Sequence, residues 1–165
     1  MRTNNYLMND KKQVEIDDLD LEILEIISTD GRENKSEIAK KLSRSPNTIK
    51  KHINNLEKEE IITSYGASID YEKLGYDFIA LIELTISKGE MLRVEEEIAN
   101  NPNVFAVYDI TGTYDAVILA RFKSRTELNK FVKKLNSSEF VVRTNTHLVL
   151  NVIKEGTNLA ELIKK

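Results

Sequence analysis

An α+β chain in two halves, helical first and sheet-rich second, is predicted by three observations. Apolar residues recur at three- and four-residue steps from Ile16 to Leu56, and the period switches to two after Glu60. From Tyr76 onward, strand and helix patterns alternate as β-α-β-β-α-β. At 165 residues the chain suits one ordinary domain or two small ones, and 41% hydrophobic with 31% charged residues is a globular composition.

Residues 1–15 read as a polar, mobile tail without apolar periodicity. Over residues 16–62 three helices follow. Ile16, Leu19, Ile23, Ile26 and Ile27 line one face of the first, with Asp17 or Asp18 as N-cap and Asp30-Gly31 at its end. Ile38, Ala39 and Leu42 share a face of a short second helix from Lys35 to Leu42. After Ser43-Arg44-Ser45, Pro46 opens the third, with Ser45 as N-cap and Pro46 at the first helical position, where its missing N–H costs nothing. Ile49, Ile53 and Leu56 form its buried stripe. Two helices joined by about three residues, the second N-capped, constitute a helix-turn-helix unit.

Residues 63–75 are expected to complete a wing and a hinge. Ile61 to Ile69 is β-rich with a turn-permitting Gly66, so it reads as a small hairpin or wing followed by a connecting strand, and Asp70 to Gly75 is the joint. Residues 76–155 then supply strands over Tyr76–Ser87, Val104–Thr111, Asp115–Lys123 and Phe140–Val152, with helices over Glu90–Asn100 and from Ser124. Ser124-Arg125-Thr126-Glu127 reads as a capping box, and Leu128, Phe131, Val132 and Leu135 as the stripe behind it. Two successive β-α-β units with both helices on one face describe a ferredoxin-like sheet. Residues 156–165 read as a C-terminal tail.

That sheet carries more apolar surface than its own helices can cover. Phe78, Ala80, Ile82, Leu84 and Ile86 point one way in the first strand, and Ile79 and Leu81 the other. In the third strand Ala116, Ile118, Ala120 and Phe122 oppose Val117 and Leu119. An antiparallel sheet with one face in water alternates more cleanly. Burial of the second face against another copy of the chain is expected, the alternative being an unusually greasy monomer.

Composition narrows the chemistry. Without cysteine there is no disulfide scaffold, thiolate zinc site, iron–sulfur cluster or cysteine nucleophile. Two distant histidines, His52 and His147, cannot build a catalytic triad or a three-histidine metal centre, so no cofactor, metal or catalytic residue is expected. No apolar run approaches the ~18 residues of a membrane span. The opening Met-Arg-Thr-Asn-Asn-Tyr lacks the apolar core of a secretory signal, which points to the cytoplasm.

Charge is segregated. From Glu15 to Asp30 there are seven acidic residues and no basic one, whereas Lys35 to Lys58 holds seven basic residues against Glu37 and Glu57. Such a patch attracts an anionic polymer even in a chain of net charge −3. With Ile49, Ile53 and Leu56 inward at 100° per residue, the opposite face of the third helix carries Asn47, Lys51, Asn54 and Lys58, flanked by Thr48, Lys50 and Asn55. Asparagine pairs bidentately with an adenine edge, and lysine reaches guanine or phosphate. Ser45, Thr48 and the first free N–H groups can hold phosphate oxygens. A merely solvated face would show no preference between acids and bases, yet no outward acid precedes Glu57. The residues therefore point to double-stranded DNA, with this helix in the major groove. His52 falls toward the edge of the buried stripe, where packing or a backbone contact is expected rather than base reading.

Five pieces in order resemble the Lrp/AsnC (feast/famine) family of transcription regulators, over roughly Ile16 to Glu155. They are Ile16-Asp17-Asp18-Leu19-Asp20-Leu21-Glu22-Ile23-Leu24 with Asp30-Gly31-Arg32; Ile38-Ala39-Lys40-Lys41-Leu42; Ser45-Pro46-Asn47-Thr48-Ile49 with Leu56-Glu57; Asp70-Tyr71-Glu72-Lys73-Leu74-Gly75-Tyr76; and Gly112-Thr113-Tyr114-Asp115. The chain departs from the pattern at His52, where the family usually has arginine, and at Glu60, where it usually has glycine.

The resemblance implies an N-terminal winged helix-turn-helix domain and a C-terminal RAM-type domain, a homodimer on back-to-back sheets, and further assembly into octamers. It also implies a small-molecule effector, commonly an amino acid, bound between dimers. Residue by residue, that site carries over to Gly112, Tyr114, Asp115, Thr144 and Thr146. Asp115 could accept from an ammonium while loop N–H groups and threonine hydroxyls hold a carboxylate; the plainer account is a tight hairpin and two strand threonines. Two other functions fit the scaffold. A siroheme-decarboxylase-like enzyme would need a tetrapyrrole pocket with basic and histidine contacts, and only His147, a strand histidine suited to interface packing, sits in the right half. An amino-acid sensor without DNA binding would leave the basic face idle.

Overall fold

A computed structural model describes residues 14–87, 89–156 and 159–163. The chain forms two compact units, one running up to Ser68 together with the segment from Gly156, the other Ile69–Glu155.

In the first unit, α1 (Asp18–Thr29) begins with a reciprocal cap: the Asp17 carboxylate accepts from the Asp20 N–H at 2.8 Å, and the Asp20 carboxylate from the Asp17 N–H at 3.2 Å. Asn34 caps α2 (Lys35–Lys41), accepting from the N–H groups of Ser36 and Glu37. Ser45 caps α3 (Pro46–Lys58) through the Thr48 N–H at 3.1 Å, with Pro46 opening the helix as expected. Ile23 of α1, Ile38 and Ala39 of α2, and Ile49, Ile53 and Leu56 of α3 make a buried core.

The turn between α2 and α3 has a defined construction. The Arg44 N–H donates to the Ala39 carbonyl at 2.9 Å and the Ser43 N–H to the Lys40 carbonyl at 3.2 Å, with Ser43 left-handed at φ 53°. This is a Schellman end, which reverses the chain within one residue and delivers Ser45 to the next N-cap. The end of α3 repeats it: the Ile61 N–H meets the Leu56 carbonyl at 2.9 Å, the Glu60 N–H meets the Glu57 carbonyl at 3.1 Å, and Glu60 is left-handed at φ 57°.

Two expectations fail here. No hairpin forms over Ile61–Ile69; residues 63–70 carry no strand. Ile61, Tyr65 and Ile69 remain largely exposed, so a two-stranded arm there would have no surface to pack against. Nor is the C-terminal segment wholly a tail, because α6 (Leu159–Ile163) packs against α1. Five residues show too little periodicity to reveal a helix. The expected N-terminal tail lies almost entirely outside the described residues.

In the second unit, β1 (Phe78–Ile86), β2 (Val104–Asp109), β3 (Ala116–Phe122) and β4 (Val141–Leu148) form an antiparallel sheet in the order β2-β3-β1-β4. Helices α4 (Met91–Ala99) and α5 (Arg125–Asn136) cover one face. Ala80, Ile82, Leu84, Ala116, Ile118, Ala120 and Phe122 point under them, and all are buried. Each large apolar side chain so buried contributes roughly 1.5–3 kcal/mol. Ser124 caps α5 as expected, but Glu127 turns to the Lys123 N–H at 3.0 Å, one residue short of the capping-box partner.

On the other face Ile79, Leu81, Val117 and Leu119 are only half-buried. Glu83, Asn145 and His147 interrupt it with a polar cluster: the Asn145 amide donates to Glu83 at 2.8 Å, and His147 Nε2 lies 3.2 Å from the same carboxylate. Arg121 is also on this face, its guanidinium 4.7 Å from the Tyr71 ring centre and 4.3 Å from that of Phe105, and paired with Glu155.

Candidate nucleic-acid interface and effector loop

The geometry of α3 follows from its buried stripe. Because Ile49, Ile53 and Leu56 are locked into the core, Asn47, Lys50, Lys51, Asn54, Asn55 and Lys58 are exposed. Lys51, Asn54, Asn55 and Lys58 share one groove with Asp17, Asp20 and His52. Among the described residues, Lys50, Lys51 and Lys58 are in no ion pair, unlike Lys40 with Glu37 and Lys41 with Glu33 on the helix before. On α3 itself the exposed Glu57 is tied down, its carboxylate accepting from the Tyr65 hydroxyl at 2.8 Å. Partial burial, that bond and the carboxylate charge push the Tyr65 hydroxyl up to about 12, so it stays a donor across the neutral range.

Ser45 and Thr48 stand differently. Their hydroxyls lie 2.8 Å apart, with Ser45 Oγ also accepting from the Thr48 N–H, so both are committed to the helix start. His52, at the stripe's edge, places Nδ1 2.8 Å from the Asp20 carboxylate and 3.8 Å from that of Asp17. This cross-helix contact is invisible in the sequence, where 32 positions separate His52 from Asp20.

The effector residues carried over by resemblance lie in the second unit. Gly112 has φ 124°, a conformation that favours glycine, in the loop between β2 and β3. The Tyr114 ring centre is 5.7 Å from the Arg143 guanidinium. Asp115 is built into the sheet end: its N–H donates to the Leu84 carbonyl and its carboxylate accepts from the Ile86 N–H, both at 2.8 Å. Thr144 pairs with Leu84 and Thr146 with Ile82 from the opposite side of β1, and Thr144 bonds Asn136 at 2.8 Å. Within one chain the loop and the threonines are thus held on two sides of β1, about two strand spacings or ~10 Å apart.

Sequence reasoning missed one further group. Glu95 of α4 is 8% exposed, and its Oε1 is buried without a hydrogen-bond partner. Burial first, and then the Asp109 carboxyl bonded to it, raise its pKa to about 8.

A helix-turn-helix whose outward face carries asparagines and lysines, joined to a four-stranded antiparallel sheet with two helices on one face, is the architecture of a class of transcription regulators that place a DNA-binding domain ahead of a second, sheet-based domain. Comparison agrees, since residues 16–63 match the winged helix-turn-helix DNA-binding family and residues 79–159 the Lrp/AsnC ligand binding domain. The chain belongs to the Lrp/AsnC family of DNA-binding transcription regulators. An uncharacterized HTH-type transcriptional regulator of Pyrococcus furiosus is 40% identical over 88% of this chain and 99% of its own length. The HTH-type transcriptional regulator FL11 of the same organism is 35% identical over 87% of this chain and 95% of its own. Among solved structures, E. coli AsnC superposes with a TM-score of 0.81 at 26% identity, covering 87% of this chain and 98% of AsnC. A Neisseria meningitidis transcriptional regulator, solved as its complex with L-Met, gives 0.80 at 25% identity, covering 90% and 100%. Among the described residues no helix is long and apolar enough to cross a membrane.

Proposed function

We propose that the protein is a sequence-specific regulator without catalytic activity that binds DNA as a homodimer or a larger even assembly, and that an amino acid modulates it. The single observation carrying the DNA reading is the outward face of α3, where asparagines alternate with lysines that are in no ion pair among the described residues. Asn47, Lys51, Asn54 and Lys58 read base edges and flanking phosphates, Lys50 and Asn55 contact the backbone, and Ser45 and Thr48 present the helix start to a phosphate. Pairing of two chains through Ile79, Leu81, Val117 and Leu119 is supported by their half-burial on a sheet face that both helices leave open.

The effector reading draws on the L-Met complex of the Neisseria relative and on the chemistry of the loop. One Asp115 oxygen is taken by the Ile86 N–H, which leaves the other for an ammonium. Gly112 and Tyr114 shape the loop, and Thr144 and Thr146 offer hydroxyls to a carboxylate. Their separation across β1 favours a site assembled between copies. Selection of binding sites from random duplexes, repeated with each amino acid present, tests all of this. The expected product is a motif of two similar half-sites about one helical turn, ~34 Å, apart or a multiple of that, whose enrichment one amino acid alters. Selection yielding no motif would overturn the DNA reading, and a motif indifferent to every amino acid would overturn the effector reading.

A further inference from the structure

We propose that Asp17, Asp20 and His52 form a binding site for one divalent transition-metal ion of the zinc or cobalt class, bridging α1 to α3. The site goes beyond the DNA and effector readings and depends on neither. One ligand atom from each side chain, a carboxylate oxygen from each aspartate and a ring nitrogen from His52, can be chosen so that all lie within 4.8 Å of one another. His52 Nδ1 is 2.8 Å from Asp20 Oδ1 and 3.8 Å from Asp17 Oδ1. Ligands about 2.0–2.2 Å from a shared tetrahedral ion stand roughly 3.3–3.6 Å apart, between those two separations.

Three features distinguish this arrangement from an ordinary histidine–aspartate pair. Charge is the first. A proton on the imidazole offers one positive charge against two carboxylates, whereas a divalent ion matches both. Asp20 is 5% exposed and therefore strongly requires a counter-charge. Preorganisation is the second. Each carboxylate is held by the other residue's backbone N–H through the cap of α1, the kind of outer support that orients metal ligands. Access is the third, because Asp17 and His52 open onto the groove that Glu15, Lys51, Asn54 and Asn55 also line, which leaves room for water to complete the coordination. One imidazole with two carboxylates is a borderline-hard set suited to Zn²⁺ or Co²⁺. An ion held there would fix α3 against α1 and place positive charge beside Lys51 and Asn54.

The test uses the full chain, stripped with chelator and titrated first with Co²⁺ and then with Zn²⁺. Visible d–d absorption saturating at one Co²⁺ per chain, and its displacement by Zn²⁺, is the expected result. Asp17→Asn keeps a good N-cap and removes one charge, and His52→Gln keeps a partner for Asp20. Both should remain folded by circular dichroism and weaken Co²⁺ by ~10-fold or more, since even outer-shell changes cost metal sites that much. His147→Gln should bind as the parent chain does. Absent d–d absorption, affinity unchanged in Asp17→Asn, or affinity lost in His147→Gln would each overturn the proposal. Should His52→Gln fail to fold, Asp17→Asn decides alone. The spectrum reads the metal directly, so the outcome is independent of whether operator DNA is bound.

Discussion

The outward face of α3 and the loop between β2 and β3 are both polar and both belong to proposed sites, yet their side chains stand in opposite situations. On α3, Asn47, Lys50, Lys51 and Lys58 are exposed, and the lysines are in no ion pair among the described residues. At the end of the loop Asp115 holds the Ile86 N–H, and across β1 the Thr144 hydroxyl is bonded to Asn136. The difference teaches how to read a polar residue. One whose hydrogen bonds are satisfied inside the chain stabilises the fold first, while one left to solvent contributes little to folding and is available to a partner.

The largest expected effect breaks the α3 side of that comparison. Changing Asn47 and Lys51 together to alanine should reduce preference for the selected operator over random DNA by about 2–6 kcal/mol, at 1–3 for each base contact. Stability of the same variant should stay within ~0.5 kcal/mol of the parent, because neither side chain supports the core. Competition binding and urea melts measure the two quantities. A loss of stability as large as the loss of discrimination would place these residues with Asp115 instead.

Asp115→Ala tests the other side. Removing the acceptor leaves the Ile86 N–H without its side-chain partner and should destabilise the sheet unit by ~1–3 kcal/mol, seen in urea melts with no effector present. Thr146→Ala should cost far less, since Thr146 is exposed. If Asp115→Ala instead melts as the parent does and only effector response is lost, the residue belongs with the free face of α3.

Glu95 sharpens the comparison as a buried polar group that is only partly satisfied, bonded to Asp109 but with Oε1 left without a partner. Its carboxyl rises from an ordinary 4.5 to about 8 on folding, so across that window the folded chain holds a proton that the unfolded chain has released. This group's contribution to stability is complete below the unfolded value and is lost as pH rises through the folded one. Denaturation midpoints should therefore fall from pH 5 toward pH 8, and Glu95→Gln should flatten the decline and gain ~1 kcal/mol or more at pH 8. A parent and variant with parallel pH profiles would remove Glu95 as the cause.

Much of this was legible in residue spacing. The stripes Ile49-Ile53-Leu56 and Leu128-Phe131-Leu135, the Ser45-Pro46 start and the alternation of β1 and β3 appear in the structure where period and capping chemistry placed them. Contacts between distant elements were not legible: His52 with Asp20, Arg121 between Tyr71 and Phe105, and Glu95 facing Asp109 depend on which helix face meets which strand. The expected hairpin failed for the opposite reason. Its local pattern was right for β structure, but Ile61, Tyr65 and Ile69 find no surface that buries them. As for the candidate site, the sequence could supply residue types for α3 but not the state of their hydrogen bonds, which is what separates Lys51 from Asp115.

The smallest expected effect lies at Glu60, where backbone rather than side chain is under constraint. The Schellman end of α3 requires a left-handed residue at the position after the cap, and Glu60 adopts φ 57° to meet it, where glycine would do so without steric cost. A side chain in that conformation costs roughly 1–2 kcal/mol. Glycine would recover that, offset by about 0.5–1 kcal/mol for the extra freedom of its unfolded chain. Glu60→Gly should therefore raise stability of the first unit by ~0.5–1 kcal/mol and leave operator discrimination unchanged, because Glu60 lies beyond the last outward residue of α3, Lys58. Gain of stability with weakened operator binding would instead mean that the strained end helps aim the reading helix, and that the exposed face of α3 depends on its terminus as well as on its buried stripe.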